Sequence, residues 1–411
     1  MQQKGQLVTK YYKKLSVKTN LCVIILKLFV LLSRVPYPLE KGDKLRAYNQ
    51  LKMLSRRHEI YLFALNDTVL DKNAVSTLAS FCKEVHIFPL SKRGIAWNLL
   101  RFFFTKKPLQ CGYFYNKKAQ KQINCLLETI QPDHIYAQLI RTAEYVKDKT
   151  IKKTLDYQDV FSKGIFRIME KAPAWKRFFL TIEYKRVRRY ETDIFSCFDH
   201  KTIITKIDKD LLFHPENQTI VVVPNGVDTD FFQPQTCQKQ FDLLFTGNMS
   251  YLPNIQAAEY LVKKILPFLV KKYPDIRIAL CGTTPSPRVS ALQGKNVIVT
   301  GWVEDIRLYY AQSRIFIAPM QLGTGLQNKL LEAMAMQIPC VASSLASNPL
   351  NVVSYKEVLV CEDVQDYVKA IDRLLSDTEL YKSIAVNGYE FVKKNYNWDS
   401  TTQILEKLIS G

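Results

Sequence analysis

Gly323-Thr324-Gly325-Leu326-Gln327-Asn328-Lys329-Leu330-Leu331-Glu332-Ala333-Met334-Ala335-Met336-Gln337-Ile338-Pro339 comes shortly after the apolar run Ile315-Phe316-Ile317-Ala318-Pro319. The apolar run reads as a buried strand. Leu326 to Met336 reads as a helix, with Leu326, Leu330, Leu331, Met334 and Ala335 on one face. A glycine-flanked turn therefore feeds a helix N-terminus, where free backbone N–H groups and the local dipole favour an anion. Lys329 falls in the first turn, where a cation opposes that dipole unless a bound phosphate shares the site. Glu332 follows at i+3 on the same side. A carboxylate there can accept from vicinal hydroxyls such as those of a ribose. These residue types fit a nucleotide diphosphate carrying a sugar. They also fit a surface helix with an ordinary Lys/Glu pair.

Working outward, the chain of 411 residues is long enough for two domains. At 47% hydrophobic and 23% charged it has the composition of a globular protein. Its nine cysteines occur singly, which argues against a disulfide scaffold or zinc site and favours a reducing cytoplasm. The histidines (His58, His86, His134, His200, His214) are scattered, so no metal site is expected. The net charge of +20 is carried entirely by residues 1–200, and residues 201–411 balance. One domain is thus expected to face a polyanion. An anionic membrane surface, a lipid pyrophosphate or a nucleic acid would each serve, as would a merely solubilising lysine-rich surface.

Residues 1–26 are basic and then apolar. The apolar stretch from Leu21 to Leu32 is interrupted by Lys27 and falls short of the roughly 20 residues that span a bilayer. A signal peptide would need a small-residue cleavage site, and none follows. Lys27-Leu28-Phe29-Val30-Leu31-Leu32 reads instead as the first core strand, leaving 1–26 as an extension outside the core. Strands are predicted over 28–32, 60–64, 85–88, 133–137, 153–155 and 201–205, with helices over 43–56, 72–82, 116–129 and 175–195. A second series has strands over 241–246, 276–281, 296–299, 314–318, 339–342 and 357–360, with helices over 254–272, 304–312, 326–337 and 363–376. Two such series mean two parallel sheets covered by helices on both faces. The turn-rich Val223-Pro224-Asn225-Gly226-Val227-Asp228 is the expected joint.

Several segments then read together. Arg34-Val35-Pro36-Tyr37-Pro38 and Lys41-Gly42-Asp43-Lys44-Leu45-Arg46 follow the first strand. Asp156-Tyr157-Gln158-Asp159-Val160-Phe161-Ser162 follows a later one. Phe245-Thr246-Gly247-Asn248-Met249 opens the second series, and Gly301-Trp302-Val303-Glu304-Asp305 lies within it. Their order resembles the retaining glycosyltransferases of family 4, over about residues 27–411. Within that family it is closest to bacterial exopolysaccharide and PEP-CTERM-associated sugar transferases.

The resemblance implies an α/β GT-B fold, with two Rossmann-like domains facing across a cleft. It implies an acceptor domain over 27–222, a nucleotide-sugar domain over 223–385, and C-terminal helices over 386–411 that cross back onto the first domain. Glu332 would bind the ribose. Lys329, Gly325 and the amides of Leu326, Gln327 and Asn328 would face the diphosphate and donor sugar. Val303 would hold the base through its backbone, and Gly42 would approach from the first domain. Arg141 lies near where many relatives place a histidine facing the donor sugar. The first glutamate of the family's pair falls at Thr324. The Arg and Lys that relatives place after the second domain's first strand fall at Asn248 and near Asn254, beside Gly247. Turn and helix-capping chemistry also accounts for these asparagines. Compensation of the leaving diphosphate then falls to Lys329. Asp156 and Asp159 either orient the acceptor hydroxyl or cap the next helix.

Transfer with retention is implied, the departing diphosphate accepting the acceptor's proton without a metal or other cofactor. Two further segments, Trp97 to Lys107 and Phe166 to Tyr190, mix aromatics with cations and suit a membrane interface. They point to a polyprenyl-diphosphate-linked or other glycan acceptor and a cytoplasmic, peripheral location. Buried aromatics with solvated cations would give the same pattern. A non-catalytic nucleotide-sugar-binding scaffold is the rival reading. A nucleic-acid partner ranks last for want of any recognition motif.

Overall fold

The computed structural model describes residues 25–170, 172–323 and 325–411. Residues 1–24, most of the expected extension, lie outside that range, as does Thr324. Two βα series build two sheets. The first contains β1 (Lys27–Leu32), β2 (Glu59–Asn66), β3 (Glu84–Pro89), β4 (His134–Gln138), β5 (Lys153–Gln158), β6 (His200–Ile203) and the short β7 (Val221–Val222), in the order β3-β2-β1-β4-β5-β6-β7. The second contains β8 (Phe241–Thr246), β9 (Ile278–Cys281), β10 (Val297–Gly301), β11 (Ser313–Ala318), β12 (Cys340–Ser343) and β13 (Leu359–Cys361), in the order β10-β9-β8-β11-β12-β13. Strand pairing is parallel in both. The strands read as near-continuous apolar runs because both faces are covered. Strand order reverses between β1 and β4 and between β8 and β11, which opens a crevice at the C-terminal ends of those strands.

The helices that matter for the site are α1 (Gly42–Leu54), α2 (Lys92–Phe103), α3 (Phe161–Glu170), α4 (Ala174–Asp193), α5 (Leu252–Tyr260), α6 (Asn328–Ala335) and the C-terminal α7 (Trp398–Ser410). Leu405 and Ile409 of α7 are buried in the first domain's core with Leu51 and Leu54 of α1. Burying a leucine fully is worth about 1.5–3 kcal/mol, so α7 is held there by more than its surface ion pairs. Gly226 makes the crossing feasible, since a Cβ at that position would lie 2.7 Å from the Trp398 backbone nitrogen.

Three expected elements differ. The helix predicted over 254–272 is broken by a π turn at Leu261–Ile265. Pro267 has no N–H to continue an α-helical ladder, and the wider turn absorbs the gap. The helix predicted from Leu326 starts at Asn328 instead, behind Gly323 at φ 103° and Gly325. Leu326 and Gln327 are thereby released into a loop over the cleft. The basic segment from Phe166 to Tyr190 is two helices, α3 and α4, parted at Pro173.

Candidate functional site

The loops leaving β1, β5, β8, β9, β10 and β11 meet at the crevice. They enclose two adjoining cavities of about 560 and 530 Å³, which share Gly42, Tyr251, Asn254, Leu326 and Lys329. The first is also lined by Gly247, Asn248, Val303, Asn328 and Glu332. The second takes in Asp159, Lys163, Asp208, Gly325 and Gln327. Of the residues singled out in the sequence, Arg141 and Asp156 among those described line neither. Asp156 is buried in the first domain. Arg141 faces a separate cavity with Arg34.

Backbone geometry sets up the first cavity. β8 and β9 are followed directly by Gly247 and Gly282, at φ 152° and 150°. A Cβ on Gly282 would sit 1.7 Å from the Gly247 carbonyl oxygen, so the two loops touch as only glycines allow. A Cβ on Gly247 would meet Asn254 Nδ2 at 2.7 Å and Lys329 Nζ at 3.0 Å. The space kept open there belongs to these two polar groups. Asn248 forms a tight turn, its Oδ1 accepting from the Ser250 amide at 2.9 Å. Asn254 Nδ2 donates to the Asn248 carbonyl at 2.9 Å, and its Oδ1 accepts from Lys329 Nζ at 2.6 Å. The two asparagines thus do turn chemistry and also aim the lysine.

Lys329 turns to Asn254 rather than to Glu332, and its ammonium lies 4.5 Å from the Phe245 ring centroid. This is not the ordinary surface Lys/Glu pair that the sequence also allowed. Burial brings the ammonium down to about 7, opposed only by Glu332. Glu332 is pushed above the usual carboxylate range by burial, against the pull of Tyr310 and Lys329. The Tyr310 hydroxyl donates to Glu332 Oε2 at 2.9 Å and accepts from Thr246 Oγ1, also at 2.9 Å. One carboxylate oxygen is thus fixed and the side chain oriented. Sequence reading missed Tyr310. On a short helix, Tyr309-Tyr310 looks like generic core aromatics, and only the fold shows which hydroxyl faces inward.

Across the cleft, Asp159 follows β5. Its neighbour Gln158 sits at φ 64°, and Leu139, which follows β4, sits at φ 65°. Such positive φ values in non-glycine residues concentrate at functional sites. Asp159 is reached by solvent through the cleft, yet protein surrounds it on most sides. Burial, and then the neighbouring Asp208, push its carboxyl up to about 6. Asp156 has a different fate. It is fully buried on β5, where Arg46 clasps it through Nε at 2.7 Å and Nη2 at 3.2 Å. Tyr136 and Thr202 hydroxyls complete its shell at 2.9 Å each. It neither caps α3 nor reaches an acceptor, because β5 runs on past it to Gln158. The end of α3 that it was expected to cap is served by Glu191, whose Oε1 accepts from the Ser162 amide at 3.2 Å.

Among the described residues, no three of His, Cys, Asp and Glu come together to hold a metal ion. No described helix is long and apolar enough to cross a membrane.

Comparison with known proteins bears on this geometry. Residues 240–377 match the family model described as Glycosyl transferases group 1. An uncharacterized 44.6 kDa protein in the cps region of Klebsiella pneumoniae is 23% identical over 386 residues, spanning 90% of this chain and 96% of that one. An Escherichia coli UDP-Gal:alpha-D-GlcNAc-diphosphoundecaprenol alpha-1,3-galactosyltransferase is 24% identical over 43% of this chain and 51% of its own. Among solved structures, Anabaena Alr3699/HepE in complex with UDP and glucose superposes with a TM-score of 0.64 at 13% identity, covering 94% of this chain and 99% of that one. The architecture is GT-B, and the group 1 domain, with relatives named for the activity, makes the chain a glycosyltransferase.

Proposed function

We propose that this glycosyltransferase moves a sugar from a nucleotide-diphosphate-sugar to a lipid-linked glycan acceptor in surface-polysaccharide synthesis, with retention at the anomeric carbon. One observation carries the reading. Lys329 and Glu332 share a cavity of about 560 Å³ with the loop at Val303 and, from the other domain, with Gly42. A diphosphate fits beside the Lys329 ammonium and the loop amides, a ribose beside Glu332, and a base beside Val303. The sugar then points into the adjoining cavity toward Asp159. In the step, the acceptor oxygen bonds to the anomeric carbon as the bond from that carbon to the diphosphate oxygen breaks. The diphosphate leaves with the electron pair and takes the acceptor's proton. Asp159, when ionised, orients the acceptor hydroxyl, and no metal is required.

The relative with a UDP and glucose complex and the relative named for a diphosphoundecaprenol acceptor both favour this reading. The experiment is a panel of nucleotide sugars screened by thermal shift, then by transfer to a polyprenyl-diphosphate-linked sugar. Stabilisation by a nucleotide sugar with no transfer to any acceptor would favour the scaffold reading. Gly247→Ala should weaken nucleotide binding about tenfold or more, equal to roughly 1.4 kcal/mol, because the new methyl displaces Lys329 and Asn254. Calorimetric titration with the nucleoside diphosphate gives the value, and an unchanged affinity would remove these two groups from the diphosphate site.

We also propose that the first domain rests on an anionic membrane. Trp97, Phe103, Phe104, Trp175, Phe178 and Phe179 are each about half exposed or more, so they are not core. The two aromatic-basic segments lie side by side, Arg186 Nη2 of α4 donating to the Phe103 carbonyl at 2.7 Å. Cations among exposed aromatics suit the headgroup layer, at about 1 kcal/mol per basic residue near the surface. Reversing Lys176, Arg177, Lys185, Arg188 and Arg189 to glutamate should lower affinity for anionic liposomes at least tenfold. Arg186 is spared because it ties α4 to α2. Flotation that does not differ between neutral and anionic liposomes, or that is insensitive to salt, would sink the idea.

A further inference from the structure

The cavity that holds Arg141 is separate from the two that form the transfer site. It has a volume of about 340 Å³ and lies within the first domain. Arg141 and Arg34 both line it, with Gln110, Tyr113 and Phe114. The Arg141 guanidinium is stacked between Phe114, at 5.1 Å, and Phe161, at 5.0 Å. Its Nε donates to Gln110 Oε1 at 3.3 Å, but its Nη1 is buried with no hydrogen-bond partner among the described residues. Arg34 reaches the same Phe114 ring at 5.8 Å. Two guanidiniums thus converge on one ring. Burial, and then Arg34, pull Arg141 below its ordinary value, as two like charges in a confined space require. Nearby carboxylates relieve this only in part. Asp43 pairs with Arg34 at 2.8 Å, while Asp67 in the cavity wall accepts from the Tyr113 hydroxyl at 3.0 Å. A buried cationic donor left without an acceptor is an unusual arrangement, and an anion would complete it.

We propose that this cavity binds the phosphate end of the lipid-linked acceptor, with Arg141 Nη1 and Arg34 as its donors. The assignment rests on the transfer reading above and adds where the acceptor is gripped. The position suits the role on both sides. Leu99 of α2 lines the cavity, while Trp97, Leu100 and Phe103 of the same helix are exposed, on the surface proposed above to meet the membrane. A lipid tail can therefore leave along α2. On the other side, Asp43 adjoins Gly42, and Phe161 follows Asp159 and Val160, all three of these cleft residues lining the transfer cavities. A sugar attached to the phosphate can therefore enter the cleft. Fork-like guanidinium donors match phosphate oxygens better than an ammonium does. Arg141 then serves the acceptor, rather than the donor sugar that the family resemblance implies.

The test uses farnesyl diphosphate, farnesol and inorganic diphosphate as probes of the full chain, with binding read by tryptophan fluorescence or calorimetry. Farnesyl diphosphate should bind the unmodified protein. Arg141→Gln and Arg34→Gln should each weaken it about tenfold or more, leaving nucleotide affinity and the weaker farnesol binding unchanged. Leu99→Trp fills the cavity and keeps both arginines, so it should abolish binding of farnesyl diphosphate even if loss of Arg141 disturbs the aromatic stack. Arg141→Lys, which restores the charge without the fork, should recover part of the affinity. Equal farnesyl diphosphate binding by Arg141→Gln and the unmodified protein would overturn the proposal. So would inorganic diphosphate binding as tightly as farnesyl diphosphate, which would mark a site for soluble phosphate. A weaker nucleotide donor with unchanged farnesyl diphosphate affinity would return Arg141 to the donor sugar. Because these readouts need no turnover, a failure to find any transferable sugar would count against the transfer reading and leave this result standing.

Discussion

Asp156→Ala is expected to destabilise the first domain by about 3–5 kcal/mol, the range for removing one partner of a buried ion pair. The carboxylate and the Arg46 guanidinium are both fully buried and hydrogen-bonded twice to each other. Deleting the carboxylate leaves a positive charge in the core answered by neutral groups, the Asn225 side-chain oxygen 3.0 Å from Nη1 and the Tyr136 hydroxyl. The Thr202 hydroxyl loses its acceptor as well, while the Tyr136 hydroxyl keeps Gln50 Oε1 at 2.8 Å. Asp156→Asn should be nearly as harmful, since it keeps volume and loses charge. Arg46→Met combined with Asp156→Leu should recover more than half of the loss, because replacing both charges avoids the uncompensated one. Urea unfolding followed by a probe in the first domain measures this, with the two domains fitted as separate transitions. An Asp156→Ala protein that unfolds like the parent would mean that water or another group reaches Arg46, and the buried-pair account would fall. The same network touches the site. Asn225 Nδ2 donates to Asn328 Oδ1 at 3.4 Å, so the pair in the first domain helps hold the first residue of α6.

The Arg46–Asp156 pair also shows where sequence reading stops. Apolar runs locate the strands of both sheets, because a strand covered on both faces has few other ways to be written. The order of those runs, with glycines after β1 and β8, is enough to identify two Rossmann-like halves. In the sequence Asp156 and Asp159 look alike as cleft acids, because both follow an apolar run. The structure separates them by extending β5 to Gln158, which turns one inward and leaves the other at the cleft. The partner that permits this burial is 110 positions away, and nothing in Lys44-Leu45-Arg46 marks one cation as internal. Arg141 is a similar case. Its position after β4 places it near the cleft, but the stacking of Phe114 and Phe161 decides which cavity it enters. Lys329 and Glu332 are legible because spacing on one helix fixes their common side, whereas Tyr310 and Asn254 act on them from other elements. Short helices such as 206–211, and α3 ahead of Pro173, carry too few turns for periodicity to define them.

Lys329→Met is expected to lower turnover about 100-fold, the usual cost of removing one preorganised donor from a developing oxyanion, while donor affinity falls less. The charge on Lys329 is needed at one moment, when the diphosphate departs. In the free protein the ammonium sits at about 7, held there by burial, so at pH 8 most molecules carry it uncharged. A diphosphate in the cavity favours the charged form, and the charge matters most as the glycosidic bond breaks. Because the protonated form is the active one, kcat/KM should fall as pH rises through about 7. Asp159 acts with the opposite sign. Its carboxyl sits at about 6 and orients the acceptor hydroxyl only when ionised, so kcat/KM should fall as pH drops below that value. The profile is then a narrow bell. Lys329→Met should remove its alkaline limb and keep the acid one. Lys329→Arg stays charged throughout and should shift the alkaline limb upward, with part of the activity retained. Asp159→Asn should flatten the acid limb only. A bell that survives unchanged in Lys329→Met would show that some other group sets the alkaline limb. Full turnover in that variant would mean the loop amides neutralise the leaving diphosphate alone, and the role of Lys329 would pass to the backbone.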